Sequence, residues 1–197
     1  FAQLRKRDVL VRFPTHSFER TVERFLQEAA LDPRVEAICI TLYRTNRSSR
    51  VVKLLQRAHE HGKRVLAMIE VKASFDERRN IEWARTLEAA GIRVLYGHPS
   101  LKVHAKIASV RRDEDDGPGF YSYVGTGNLN ASTAAAYTDL GLLTADRQLG
   151  RELELLFATL AGEDEAGDYA TLVVAPFNMR QRCVALIDRE IEHARQG

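Results

Sequence analysis

Leu101-Lys102-Val103-His104-Ala105-Lys106-Ile107 places a nitrogen-bearing side chain at every second position. On a strand, alternate side chains share a face. Lys102, His104 and Lys106 are therefore expected to point one way, and Leu101, Val103, Ala105 and Ile107 the other, toward a helix layer. Three basic groups in a row suit an anion. A histidine between two lysines has its charged form disfavoured, which keeps a neutral, nucleophilic imidazole available. A solvated strand face that happens to carry a histidine would show the same spacing.

Gly125-Thr126-Gly127-Asn128 offers two glycines that let backbone amides approach a ligand, with a hydroxyl and an amide as further donors. A plain turn leaving a strand would use the same residues. Thr41-Leu42-Tyr43-Arg44-Thr45-Asn46 puts Arg44 just past the end of a predicted strand. In open α/β sheets that is where ligands bind, and a guanidinium fits phosphate bidentately. Glu70–Asp76 follows the next predicted strand, and Tyr137 and Asp139 immediately precede another.

Short β-like runs alternating with helical patterns must position these residues. Strands are predicted over 8–13, 37–43, 64–71, 92–96, 103–110, 121–124, 140–144 and 172–175. Helices are predicted over 18–30, 51–61 (with Gly62 as its C′ residue), 81–90, 149–160 and 178–195. Asp113–Gly119, acidic and rich in Gly and Pro, reads as a solvated hairpin tip. The rhythm implies an α/β fold with a mixed, mainly parallel sheet and helices on both faces. Residues 1–160 are expected to form one domain and 161–170 a linker. The strand and helix of 171–197 would open a truncated second domain, being too small to bury a core alone.

The chain has 197 residues, 45% hydrophobic and 28% charged, as in an ordinary globular protein; this excludes a disordered tail, a collagen or a disulfide scaffold. No apolar run nears the ~18 residues of a membrane span. Cys39 and Cys183 stand far apart in apolar company, which predicts a reducing compartment and no metal knuckle. The N-terminal Phe-Ala-Gln-Leu-Arg-Lys-Arg-Asp has neither an initiator Met nor a signal-peptide pattern, so the chain is expected to be a piece of something longer. Residues 1–70 carry 14 Lys/Arg against 8 Asp/Glu, and residues 139–170 carry 2 against 8. That asymmetry hints at an anion site in the first half, although a solvated charged face gives the same count.

His104-x-Lys106 followed by Gly125-Thr126-Gly127-Asn128 resembles the half-site of the phospholipase D superfamily. TLYRTN at 41–46, EVKASFDERRNIEWARTLEAAGIRVLYG at 70–97, LKVHAKI at 101–107, GTGNLN at 125–130, AYTDLGLLTAD at 136–146 and APFNMR at 175–180 resemble polyphosphate kinases, in order and through nearly the whole chain. The resemblance implies the first of that family's two C-terminal catalytic domains, in a phospholipase D-like fold, with the opening of the second. It implies transfer of the terminal phosphate of ATP to polyphosphate through a phosphohistidine on His104, with Lys106 and Lys102 offsetting charge. Arg44 matches a family arginine at the magnesium-phosphate site. Having no acceptor, it would clamp phosphate near Mg²⁺ rather than ligate the metal. Tyr137 matches a nucleotide-contacting residue, Asn128 would brace phosphate or backbone, and Asp139 would orient an imidazole. Ser74 departs from the family arginine at the second magnesium-phosphate position, which weakens that clamp or shifts it to Arg78 or Arg79. The superfamily aspartate five residues after the lysine is replaced by Arg111, which favours the kinase over a phospholipase or nuclease.

By the same resemblance the partners are ATP or ADP and inorganic polyphosphate, with Mg²⁺ accompanying the nucleotide and no nucleic acid. A homo-oligomeric, cytoplasmic parent is implied, without an integral membrane segment but with room for membrane association through the parent. The fragment alone, holding one half-site, is expected not to turn over. Two other readings remain open from the residues: a phospholipase D-like phosphodiesterase or nuclease half-site, and a non-catalytic polyanion-binding module.

Overall fold

The computed structural model describes residues 1–43, 49–70, 77–97, 101–163 and 167–197. Their contacts divide them into two units, Phe1–Gly150 and Arg151–Gly197.

The first unit is built on seven strands: β1 (Val9–Phe13), β2 (Val35–Leu42), β3 (Arg64–Ile69), β4 (Arg93–Tyr96), β5 (Lys106–Glu114), β6 (Gly117–Gly125) and β7 (Asp139–Thr144). They form one sheet in the order β1-β7-β6-β5-β2-β3-β4. The mixed α/β architecture expected from the strand–helix rhythm is present. The balance within the sheet differs from expectation: only β2–β3 and β3–β4 are parallel, and the other four pairings are antiparallel. The cause lies in the connections. Helical crossovers join β2, β3 and β4, whereas β5 and β6 are joined by a two-residue turn, which only antiparallel strands can use.

The hairpin tip expected over 113–119 is present but shorter than expected. Glu114 pairs with Gly117, leaving Asp115 and Asp116 alone at the tip. The two tip carboxylates meet Arg34 at 2.8 Å and Arg147 at 2.6 Å, so the flanking acidic residues can remain in the ladder.

The central strand β2 reads as a nearly unbroken apolar run because it is buried. Ile38, Ile40 and Leu42 share one face, each 2% exposed or less. They join a single core with Ala108 and Val110 of β5, Tyr121 and Tyr123 of β6, Leu143 of β7, and Val11 and Phe13 of β1. Burying one such aliphatic side chain contributes roughly 1.5–3 kcal/mol. Over this face lie α1 (Arg24–Leu31), α2 (Arg50–Glu60) and α3 (Glu77–Ala89). Phe25, Leu26 and Ala29 of α1 and Val51, Val52, Leu55 and Ala58 of α2 recur at the spacing of an amphipathic helix and enter the same core. A π-helical turn, Glu19–Glu23, precedes α1, so the predicted helix over 18–30 is two elements. Gly62 (φ +79°) terminates α2 as expected: its N–H donates to the carbonyl of His59, and the N–H of Lys63 reaches that of Ala58.

The short helix α4 (Ala131–Ala136) was not anticipated. It has no apolar stripe, and its local signal is the N-cap, where Asn130 accepts from the N–H of Ser132 at 2.9 Å. The chain continues through α5 (Arg147–Leu160) and, within the second unit, α6 (Met179–Gln196). The strand predicted over 172–175 is not formed. The N–H groups of Ala170, Thr171 and Leu172 converge on the carboxylate of Glu152, and that of Val174 donates to Asn178, so these groups bond to side chains rather than to a neighbouring strand.

Candidate functional site

The site forms where β2 and β6 end and β5 and β7 begin. The β2–β5 ladder stops at the pair Ile40 and Ala108. Beyond it, side chains replace backbone pairing. Thr41 Oγ1 donates to the carbonyl of Ala105 at 2.8 Å and accepts from the N–H of Ile107 at 3.0 Å. Glu70, 2% exposed and immediately after β3, accepts from the N–H of Val103 at 2.7 Å. The segment 102–105 is therefore pinned to the ends of β2 and β3 without being a strand. This corrects the sequence reading, which began β5 at Val103. The simple alternation fails with it: Val103 and Ile107 are buried as expected, but Ala105 is exposed and Lys106 is 6% exposed.

The three basic side chains nevertheless gather, around the ring of Tyr43. Lys106 Nζ lies 4.8 Å from the ring centroid and Lys102 Nζ 5.8 Å. The imidazole of His104 meets the ring edge-on, with centroids 5.5 Å apart and planes at 79°. Lys106 also donates to the backbone carbonyl of His104. Tyr43 had no role in the sequence reading. The signal for it was an aromatic at the end of a predicted strand, beside the arginine already singled out.

Electrostatics favour an uncharged imidazole. Burial of the ring edge against its neighbours pushes the His104 pKa down, and the charges of Lys106 and then Lys102 push it further the same way. Lys106 is itself lowered, by burial first; the Asp139 carboxylate opposes this and Lys102 adds to it.

Opposite these groups, the turn after β6 and the start of β7 complete a cavity of about 200 Å³. His104, Lys106, Thr126, Gly127, Asn128, Thr133, Tyr137 and Asp139 line it. Thr126 Oγ1 donates to Asp139 at 2.7 Å and accepts from the N–H of Leu140 at 3.1 Å, which fixes the carboxylate. Gly127 is required by close approach: a Cβ there would lie 2.3 Å from Asp139 Oδ2. Below them the phenol of Tyr123, 1% exposed, is pushed up to about 12 by burial and by Asp139, and stays protonated. The Oδ1 of Asn128 is buried and has no hydrogen-bond partner.

Of the residues singled out in the sequence, His104, Lys106, Asn128, Tyr137 and Asp139 line one cavity, and Lys102 joins them through Tyr43. Arg44 and Ser74 lie outside the described residues. Among the described residues, no group of three or more His, Cys, Asp or Glu side chains is placed to hold a metal ion.

A mixed sheet of this topology is a phospholipase D-like α/β fold. The phospholipase D family member Nuc from Salmonella typhimurium superposes with a TM-score of 0.59 over 79% of this chain and 94% of its own, at 13% identity, a likeness of fold alone. The polyphosphate kinase of Porphyromonas gingivalis superposes far better, with a TM-score of 0.89 over 99% of this chain and 32% of its own, at 36% identity. Residues 1–166 match the family described as polyphosphate kinase C-terminal domain 1. Polyphosphate kinases from Thermosynechococcus vestitus and Streptomyces coelicolor are 49% and 48% identical to this chain over 197 residues. The chain belongs to the polyphosphate kinase family. It spans about a quarter of the length of these relatives (27% and 26%).

Proposed function

We propose that this chain supplies the phosphohistidine half-site of an ATP:polyphosphate phosphotransferase. The observation that carries the reading is the cavity in which His104, held toward its neutral form by burial and two lysines, lies beside Lys106 and faces the Thr126–Asn128 turn. One ring nitrogen of His104 attacks the γ-phosphorus of ATP. An N–P bond forms, the bond from that phosphorus to the β–γ bridging oxygen breaks, and ADP departs with that oxygen. A terminal oxygen of polyphosphate then attacks the same phosphorus, breaks the N–P bond and returns the imidazole. Phosphoryl transfer of this kind depends mainly on positioning and charge neutralisation. Lys106 and Lys102 offset charge on the transferring group, and Tyr137 contacts the nucleotide. Arg44 clamps phosphate, and Ser74 leaves a second clamp unfilled. Magnesium arrives with ATP as part of the substrate, neutralising phosphate charge; Asp139, held at the cavity wall by Thr126, orients an imidazole.

Because the chain spans about a quarter of its relatives' length, the reaction is proposed for an assembled enzyme in which this half-site meets a second one. Incubating a full-length protein carrying this sequence with γ-labelled ATP should give acid-labile, base-stable label on His104. Label of wild-type intensity in His104→Ala would sink the assignment.

A further inference from the structure

We infer that Tyr43 is a positioning residue: its ring is the surface on which Lys102, His104 and Lys106 are held together before any phosphate arrives. The inference rests on the phosphohistidine reading for its purpose, but not for its geometry.

Two ammonium groups flanking an imidazole repel one another. Left to themselves, long lysine side chains would spread into solvent, where water screens them and their rotamers are free. Here both ammonium groups lie within the ~6 Å over which an aromatic face attracts a cation, at 4.8 and 5.8 Å. The imidazole takes the edge-on geometry that aromatic pairs favour. A neutral ring suits this role better than a carboxylate would. It gathers the cations without neutralising them, so their charge remains available to an anion.

The same short run of chain also fixes the backbone, since Thr41, two residues before Tyr43, bonds to both Ala105 and Ile107. Among the described residues, the charged and titratable groups facing His104 are Lys102 and Lys106 on its own segment, Tyr43 from the end of β2, and Tyr137 and Asp139 across the cavity. Glu70 reaches the segment through the N–H of Val103.

The test follows the His104 ring by NMR through a pH titration of the 197-residue chain, alongside its affinity for inorganic tripolyphosphate. Tyr43→Phe keeps the ring and should follow wild type in both. Tyr43→Leu and Tyr43→Met remove it. The lysines should then disperse, the midpoint of His104 should rise toward that of an ordinary histidine, and tripolyphosphate affinity should fall about three- to fivefold, the scale of an exposed cation–π contact. Wild-type behaviour in Leu and Met would overturn the inference, as would a Phe variant behaving like Leu, which would assign the effect to the hydroxyl. Loss of the native amide spectrum in both Leu and Met would overturn it too, by making Tyr43 a core residue. Neither measurement needs phosphoryl transfer. Absence of label on His104 in the full-length protein would therefore sink the proposed function and leave this inference standing.

Discussion

The two ends of β5 both concentrate charge, and they treat it in opposite ways. At the hairpin end each arginine of the strand faces a carboxylate. Arg112 Nε lies 2.9 Å from Asp32 and its Nη1 2.7 Å from Glu114, while Arg111 meets Glu36 at 3.0 Å. Glu114 also accepts a 2.6 Å hydrogen bond from the phenol of Tyr121. At the other end Lys102 and Lys106 meet an aromatic face and a backbone carbonyl, and Asp139 is spoken for by Thr126. The first arrangement is complete as it stands, because its charges cancel within the fold. The second keeps an excess of positive charge, since Asp139 opposes the two lysines only in part, and such an excess is what a site for a polyanion requires.

The sharpest way to separate the two ends is to remove one group from each. His104→Ala should abolish phosphoenzyme formation in the full-length protein while the melting curve stays close to wild type, since an exposed ring contributes little to the fold. Arg112→Met should do the reverse. It leaves Asp32 and Glu114 without their shared partner in a site where the arginine is 13% exposed and Glu114 10%. The expected loss is about 2–4 kcal/mol in denaturant unfolding, with His104 labelling retained in the protein that remains folded.

The pH dependence of that loss follows from the same contacts. Burial pushes Glu114 up, but the Tyr121 hydrogen bond, Arg112 and Arg5 outweigh it and hold its pKa below the ordinary carboxylate value. Asp32 is lowered likewise, its burial outweighed by the Arg112 hydrogen bond, the Arg34 N–H and Lys63. Carboxylates depressed in the folded state stabilise it above their unfolded pKa, roughly 4. That stability is lost as pH falls through the folded values. Wild type should lose stability steeply below about pH 4, and Arg112→Met should show a shallower decline.

Gly127→Ala tests the lysine end without touching a charge. Its methyl group would collide with the Asp139 carboxylate, so either the turn or the carboxylate must shift. Because Thr126 and Asp139 are hydrogen-bonded to each other, the displacement should spread across that wall of the cavity. The expected result is a roughly ten- to hundredfold fall in the rate of His104 labelling, the scale of a small misplacement in a positioned site. The loss of stability should be on the order of 1–2 kcal/mol. Wild-type labelling would show that this wall does not contribute to transfer.

The same contrast marks what could be read in the sequence. The strands and helices up to β4 were legible because buried parallel strands and amphipathic helices carry strong periodic signals. The hairpin was legible from its glycines and acidic residues, but not how tight its turn is: Asp113, Glu114 and Gly117–Gly119 look like loop, yet the ladder continues through them. The chemistry-bearing residues of the site were legible as types and spacing, and five of them converge on one cavity. How they are held was not legible. Thr41, Tyr43 and Glu70 act across 33 to 66 positions of sequence, and no local pattern records a side chain that replaces a ladder hydrogen bond. The failed strand over 172–175 has a similar origin, since Glu152 gathers backbone groups about 20 positions away.

The smallest expected effect concerns the outermost charge of the cluster. Lys102 is exposed and is the last of the three causes lowering His104, after burial and Lys106. Lys102→Ala should therefore raise the His104 pKa only slightly. A rise means that the ring protonates, and stops being a nucleophile, at a higher pH. The acid limb of the phosphoenzyme-formation profile should move upward, while the rate at pH 8 should fall only by the loss of charge offset on the phosphate. Salt provides an independent check. At about 1 M ionic strength the screening length drops to ~3 Å, so added salt should move the wild-type limb upward toward that of the variant and move the variant less. Stability should be unchanged, because no carboxylate is left unpaired. An acid limb in Lys102→Ala that coincides with wild type at low salt would show that Lys102 contributes nothing to keeping His104 neutral, and that burial and Lys106 suffice.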